Sequence, residues 1–299
     1  MIETQRDWSG PPRDPGIQPG VAIRLSRVVW RVTARNAGVM TGPGTNSYLI
    51  GAGREWTILD PGPADDRHLQ ALLDAAPGTV RYIVVTHTHE DHSPGSAPLK
   101  SSTGALLLGR KTSHHHWQDP TFVPDRELRH EDRLTLAAGA TLRVVHTPGH
   151  ASNHLCFLLE EERILFTGDH IIQGSTPVID PPDGNMADYI AALQSLLREP
   201  LDYLAPGHGT LIPEPREAIQ LLIQHRLHRE AKVLAALTPL PLALPTLVRR
   251  VYNDVSPQLH ALAERSLLAH LLKLEAEGRA RRKSDGWMRV DDSSVEHEL

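Results

Sequence analysis

The stretch IVVTHTHEDHSPG, residues 83–95, holds the most chemistry per residue in the chain. An apolar run of strand type, Tyr82–Val85, ends there and delivers His87, His89, Asp91 and His92 within six residues. Alternate residues of an extended segment share a side, so His87, His89 and Asp91 point one way and His92 joins them as the chain turns. Four such groups packed closely are costly to bury unless a cation compensates them. The other histidine run, SHHHW at 113–117, reads instead as a solvated surface loop.

Three more pieces lie downstream. VVHTPGHAS supplies His150, ILFTGDHI supplies Asp169 and LAPGHGT supplies His208, each beside a glycine that lets the backbone turn sharply and release the side chain into a shared rim. Together the seven residues can fill two sites. One takes His87, His89 and His150, the other Asp91, His92 and His208, and Asp169 bridges. Nitrogen and oxygen ligands with an open position suit catalytic zinc, two ions per chain, and are also compatible with manganese or iron. Two cations sharing a water would lower its pKa towards about 7, and the resulting bridging hydroxide would act as nucleophile. Asp91 is the candidate catalytic residue that steers it and moves its proton.

The rest of the sequence frames this centre. The 299 residues allow one large domain plus a small one. Hydrophobic residues at 40% supply a sizeable core, and aromatics at only 4% leave the packing to aliphatic side chains. No apolar run approaches the ~18 residues of a membrane span, and the N-terminus lacks a secretory pattern. The single cysteine, Cys156, excludes an internal disulfide framework and suits a cytoplasmic location. It sits in an apolar strand and reads as a buried, inert thiol.

Residues 1–20 form an irregular lead-in. From 21 to 237 short β-branched runs at 25–33, 47–50, 56–60, 80–86, 141–146, 155–159 and 164–167 mix with helical patterns at 65–75, 185–197 and 214–237. That order predicts an α/β fold of sheets packed on each other with helices outside. TPLPLALPT at 238–246 is a proline-rich break. A small C-terminal winged-helix-like domain is predicted over 238–292: a helix at 247–255, a second from Pro257 to Glu277, and two short basic strands around a Ser-Asp-Gly turn. Residues 293–299 are an acidic tail. Residues 1–220 carry a net charge of −7 and 221–290 a net +6, so the small domain is basic on an acidic protein.

The motifs HxHxDH, TPGH, GDH and GHG, in that order, resemble the metallo-β-lactamase superfamily, whose αβ/βα sandwich is the expected fold. His89 distinguishes the chain from flavodiiron proteins, which carry glutamate there. Asp169 argues against antibiotic hydrolysis, since true zinc β-lactamases usually lack that aspartate. GPGTNSYLI, ILDPGP, TPGHASNHLCFLLEEERILFTGDHI, ADYIAALQSLL and APGHGTLI are similar to the β-lactamase-like protein 2 group. The match extends into the C-terminal helices.

That resemblance implies an endoribonuclease or phosphodiesterase acting on single-stranded RNA, with Arg249, Arg250, Arg279, Arg281, Arg282 and Lys283 offered to phosphates. The alternative is a hydrolase of a small ester or thioester, of glyoxalase II or lactonase type. A β-lactamase, an iron persulfide dioxygenase and a non-catalytic nucleic-acid binder fit less well. The spacing of 39 positions from Asp169 to His208 leaves no room for the insertion of the processive nucleases. No membrane partner is implied, and a homodimer stays open. Asp60, in LDPGP, either caps a turn before Pro61 or, as the resemblance implies, hydrogen-bonds a ligand histidine. Asn46 is placed to order a loop near the site. Tyr189 either packs its helix on the sheet or approaches substrate, and His154 and His170 stay outside the ligand set.

Overall fold

Ser26 decides how the N-terminal strands run. Its Oγ accepts hydrogen bonds from the Val28 and Val29 amides at 3.3 and 3.1 Å, a local turn that competes with an extended backbone. The strand expected over 25–33 therefore begins only at Val29: residues 25–28 form the turn that joins β1 (Ala22–Arg24) to β2 (Val29–Thr33), and the two pair antiparallel with Ala22 opposite Val32. This computed structural model describes residues 10–290 except 113, 115 and 116. The acidic tail, the first nine residues of the lead-in and three residues of the SHHHW run lie outside the described residues.

The chain divides into two compact units. Residues 10–147, 153–177 and 199–218 form the first; 148–152, 178–198 and 219–290 form the second.

In the first unit, β1 and β2 continue into β3 (Asn46–Ala52), β4 (Glu55–Leu59), β5 (Thr79–Val84), β6 (Leu106–Gly109) and β7 (Arg126–Glu127), a seven-stranded sheet in sequence order. Pairing is antiparallel up to β4 and parallel from β4 to β7. The switch follows the connections: loops without a helix join the early strands, short ones at 25–28 and 53–54 and a longer one at 34–45, whereas helix α1 (Asp66–Ala75) carries β4 to β5 and α2 (Ser96–Thr103) carries β5 to β6. Asp65 caps α1, its carboxylate accepting from the His68 amide at 2.9 Å. The second sheet has the order β12 (Tyr203–Pro206), β11 (Ile164–Gly168), β10 (Leu155–Leu159), β9 (Thr141–His146) and β8 (Arg133–Thr135).

Strand alternation assigns the faces. Tyr48, Ile50, Leu59, Val84 and Leu108 of the first sheet meet Leu142, Val144, Leu155, Phe157, Ile164 and Phe166 of the second in one buried cluster. Leu49, Ile58, Ile83 and Leu107 face the opposite way and pack with Leu69, Leu72 and Leu99 of α1 and α2. Fully buried side chains of this size each stabilise the fold by roughly 1.5–3 kcal/mol. Short apolar strands suffice because both faces of the first sheet are covered.

The lead-in is tied down. Asp14 takes both guanidinium nitrogens of the fully buried Arg31, at 2.5 and 2.9 Å, and accepts the Leu211 amide at 2.8 Å. Burial opposes the charge on Asp14, but these donors outweigh it and hold its carboxyl below the usual value. Asp14→Ala would leave the Arg31 cation buried and uncompensated, so it should lower stability by about 3 kcal/mol in urea unfolding. Since the folded-state pKa lies below the unfolded one, this contribution is present above about pH 4 and lost as pH falls further. Asp14→Ala should therefore flatten the acid limb of the stability profile.

In the second unit, α3 (Met186–Leu196) begins at Asn185, whose side chain accepts the Ala187 and Asp188 amides. Most of α4 (Pro215–Ala236) follows, then α5 (Leu244–Val251), a 3-10 turn at Pro257–Leu259, α6 (His260–Ala276) and the hairpin β13 (Ala280–Lys283) and β14 (Gly286–Arg289). Val233, Leu237, Leu247, Val251, Leu267, Leu271, Leu274 and Trp287 make its core. The first C-terminal helix starts and stops earlier than the 247–255 read from sequence, because Pro245 occupies its first turn. The 3-10 turn at Pro257 explains why the second helix proper begins at His260.

Candidate metal centre

The four motif residues sit on the loop that leaves β5, and Asp60 fixes both ends of that loop. Its two oxygens accept the Thr86 amide and hydroxyl at 2.7 Å each, and Oδ2 also accepts from His92 Nδ1 at 3.0 Å. Asp60 reaches this position with φ at 49°, a left-handed conformation uncommon for a residue other than glycine. By occupying Nδ1 of His92, it turns Nε2 inward. Thr86 Oγ1 lies 3.0 Å from His87 Nδ1, which similarly leaves Nε2 of His87 for the centre.

Asp169 and His208 follow the ends of β11 and β12. Gly168 precedes Asp169 with φ at 45°, and a Cβ there would lie 2.6 Å from Thr86 Oγ1 and 2.8 Å from His154 Nε2. Only glycine brings the two loops this close. His154 accepts the Asp169 amide on Nε2 at 3.2 Å and meets Thr147 Oγ1 through Nδ1 at 3.0 Å, so it braces the bridge candidate. Asn46 donates to the carbonyls of Pro206 and Gly209 at 2.9 and 2.8 Å, which sets the His208 turn from both sides. His150 directs Nδ1 at the Val178 carbonyl, 2.7 Å away.

In the first unit the structure brings five candidate ligands into two overlapping sets, His87, His92 and Asp169 in one and Asp91, His92 and His208 in the other, while His150 belongs to the second unit. Within each set the ligand atoms lie within 4.8 Å of one another. Asp169 thus shares a set with His87 as well as with His92. His87 Nε2 and His89 Nδ1 are 2.9 Å apart.

Distances in the second cage test whether a metal fits. His92 Nε2 is 3.4 Å from Asp91 Oδ2 and 3.3 Å from Asp169 Oδ1; His208 Nε2 is 3.3 and 3.2 Å from the same oxygens. A tetrahedron with ligand bonds of about 2.0–2.1 Å has edges of about 3.3–3.4 Å. These four distances match four of that tetrahedron's six edges. His92 Nε2 is buried and makes no hydrogen bond although it faces two carboxylates, which is costly for a polar atom with no cation to serve.

Charge tells the same story. Burial opposes a proton on His208, yet Asp169 and Asp91 outweigh it and push its pKa up to about 10. His92 moves up for the same reason, while burial and the charge of His92 push His87 down. The carboxylates therefore call for positive charge inside the cage, and a divalent ion supplies it while displacing protons from His92 and His208. With folded-state values above neutrality, protons compete with metal across pH 6–9. Affinity should rise about tenfold per pH unit for each proton displaced, measurable by calorimetric titration over that range; a flat profile would contradict the donor assignment.

Other expectations resolve plainly. Tyr189 is fully buried on α3 with the Arg226 guanidinium 5.2 Å over its ring, so it packs its helix and presents no surface to a substrate. Burial raises the Cys156 thiol to about 12, consistent with an inert residue. Sequence reasoning missed Thr45, whose Oγ1 donates to Asp91 Oδ2 at 2.9 Å. It lies beside Asn46 in GPGTN, the one local signal that could have drawn notice. Asn153, Gln118 and Asp119, which brace the motif loop through Thr88 and Ser93, carried no signal at all.

Two facing mixed sheets with a His/Asp cage at the strand ends define a metal-dependent hydrolase of the metallo-β-lactamase fold. The chain belongs to the metallo-beta-lactamase superfamily, whose pattern matches residues 40–208, and residues 244–287 match the beta-lactamase associated winged helix domain. It is 32% identical to a beta-lactamase-like protein 2 homolog of Drosophila melanogaster over 275 residues, 86% of this chain and 91% of that one. It is also 32% identical to an atrochrysone carboxyl ACP thioesterase of Passalora fulva over 221 residues, 72% of this chain and 63% of that one. The solved structure of a beta-lactamase domain protein from Burkholderia ambifaria superposes with a TM-score of 0.78 at 21% identity, covering 92% of this chain and 95% of that one, a likeness of fold.

Proposed function

We propose that this hydrolase is a zinc-dependent phosphodiesterase that cleaves single-stranded RNA. The observation that carries the reading is on the C-terminal module. Arg249, Arg250, Arg281, Arg282 and Lys283 are exposed there, and none pairs with a carboxylate among the described residues. Cations left unpaired on a module of this kind suit phosphate contacts. Arg279 is engaged by Glu277 and Glu230 and contributes less. The likeness to a beta-lactamase-like protein 2 homolog runs through both parts of the chain and supports the same reading. The tetrahedral spacing of the second cage supports zinc.

His87, His89 and His150 would hold one ion and Asp91, His92 and His208 the other, with Asp169 between them. Bound there, the pair supplies an acidified water and positive charge against a developing oxyanion. Asp91 is the most exposed member of the second cage, with 26% of its side chain accessible against 14% for Asp169 and 5% for His208. Thr45, His92 and His208 all address its Oδ2. Oδ1 has no partner among the described residues, and it is the atom that accepts a proton from the attacking water and returns it to the leaving oxygen. Asp91→Ala should lower kcat by about a thousandfold with KM little changed. Near-normal kcat at full metal loading would remove Asp91 from that role.

A second reading, a hydrolase of small acyl thioesters, is favoured by the likeness to the fungal thioesterase. Parallel assays of the zinc-loaded protein on oligouridylate, a bis-aryl phosphodiester, S-lactoylglutathione and nitrocefin separate the two. RNA cleavage that survives repurification and disappears in His87→Ala supports the first. Thioester turnover without RNA cleavage transfers the case to the second.

A further inference from the structure

Three consecutive residues where β3 begins, Thr45, Asn46 and Ser47, are polar and fully buried. Buried polar side chains persist where their hydrogen bonds are used. The first two serve the second cage: Thr45 Oγ1 donates to Asp91 Oδ2, and Asn46 sets the His208 turn. Ser47 is the third. Alternation puts it on the face of β3 that Leu49 presents to α1, and there its Oγ lies 2.9 Å from His68 Nε2.

His68 stands in the first turn of α1, its amide held by the Asp65 cap. Burial outweighs the pull of Asp65 and pushes the His68 ring down to about 4. The ring is therefore neutral near pH 7, with one donor nitrogen and one acceptor. Nε2 has Ser47. Nδ1 is buried without a hydrogen-bond partner, at a cost of about 1–3 kcal/mol that an apolar side chain would not incur. A residue kept only to pack α1 on the sheet would serve better as leucine, the type found at Leu69 and Leu72.

What rests on the pair is the turn that follows Asp60. A Cβ at Gly62 would stand 2.9 Å from His68 Nε2, 3.1 Å from its Cδ2 and 3.4 Å from Ser47 Oγ, so the Gly62 backbone lies directly against both side chains. The Gly62 amide donates to the His92 carbonyl, and the Gly62 carbonyl accepts the Gly95 amide, each at 2.9 Å. Two residues earlier, Asp60 takes His92 Nδ1 at 3.0 Å. One short turn thus grips His92 by ring and by backbone, and Ser47 and His68 form the floor beneath it.

We infer that Ser47 and His68 are positioning residues for the second metal site: their hydrogen bond fixes the height of the turn at 60–62 and thereby the direction in which His92 Nε2 points. This rests on the two-ion reading of the centre and not on the choice between phosphodiester and thioester. The start of β3 then carries one support for each histidine and carboxylate of that set, Thr45 for Asp91, Asn46 for His208 and Ser47 for His92. Losing a support of this kind costs about 10- to 100-fold in metal affinity.

The test is calorimetric zinc titration of the metal-stripped full chain, run beside urea unfolding. The double variant Ser47→Ala/His68→Leu replaces both hydrogen-bonding partners by apolar ones, an exchange that is nearly neutral or stabilising for a fold. It should unfold at the wild-type urea concentration or above it, bind the first zinc as the wild type does, and bind the second about tenfold more weakly. His68→Gln keeps a donor and an acceptor on a side chain long enough to reach Ser47, and should hold the second affinity within about threefold of wild type. Wild-type affinity for the second zinc in the double variant overturns the inference, and so does a His68→Gln no better than that variant. A double variant that unfolds early and loses both ions alike overturns it too, since the pair would then be merely structural. The wild type is read first: a single bound zinc would sink the two-ion reading itself, whereas two ions with an indifferent double variant sink the positioning role alone.

Discussion

Asp169→Ala should lose at least a thousandfold in kcat and bind one zinc per chain in place of two. The size of the effect follows from where its Oδ1 lies, 3.3 Å from His92 Nε2 and 3.2 Å from His208 Nε2, in a set that also includes His87. Among the described residues it is the one carboxylate that shares a set of donors with residues of both cages. Removing it takes away an edge of the second cage and the atom that would set the spacing between ions, and in two-metal sites that spacing supports attack and departure together. It also removes one of the carboxylates that raise the pKa values of His92 and His208. Zinc content by mass spectrometry and turnover of the bis-aryl phosphodiester check both parts. Two tightly held ions with kcat near wild type would show that Asp169 does not bridge. Asp169→Asn is the sharper companion, since it keeps the shape and removes the charge; it should bind the second ion more weakly without unfolding.

Why the ligands could be read from sequence while their supports could not comes down to chain distance. His87, His89, Asp91 and His92 fall within one short loop, so residue type and spacing alone suggest a cation. His150, Asp169 and His208 are remote, but each stands beside a glycine after a strand-like run, a local mark of a backbone that must turn hard. The pairs that hold them have no such mark. Asp14 finds Arg31 across 17 residues and Asn46 finds Pro206 across 160, and only the folded sheets bring them together. The β-strands 141–146 and 155–159 were legible to the residue because apolar residues alternate in the first, TLRVVH, and run unbroken through the second, LCFLL. β6, with LLLG as its whole length, and α2, with three serines and a proline in eight residues, offer too little pattern to be seen. The 25–33 error has a different source: Ser26 opens a turn through its side chain, a competition that hydrophobic periodicity does not register.

Gly207→Ala should empty the second cage without touching a ligand. A Cβ at 207 would stand 2.7 Å from Asp169 Oδ1 and 2.8 Å from His92 Cε1, closer than real Cβ contacts come. Neither neighbour can retreat cheaply. His92 is fully buried with Nδ1 held by Asp60, and the Asp169 amide is held by His154. The Gly207 backbone cannot give way either: its amide donates to the Gly168 carbonyl at 2.8 Å and its carbonyl accepts the Asn46 amide at 2.8 Å. The added methyl therefore goes where an ion's ligands must converge. Overpacking at a closed site costs about 1–3 kcal/mol, and a carboxylate displaced by even half an ångström leaves the tetrahedral spacing. Zinc affinity of the second site should fall at least a hundredfold and kcat with it, while the circular dichroism spectrum and oligouridylate binding through the basic module persist. Gly207→Ala with two bound zincs at wild-type affinity would mean that the cage drawn by Asp91, His92, Asp169 and His208 is not where the second ion sits.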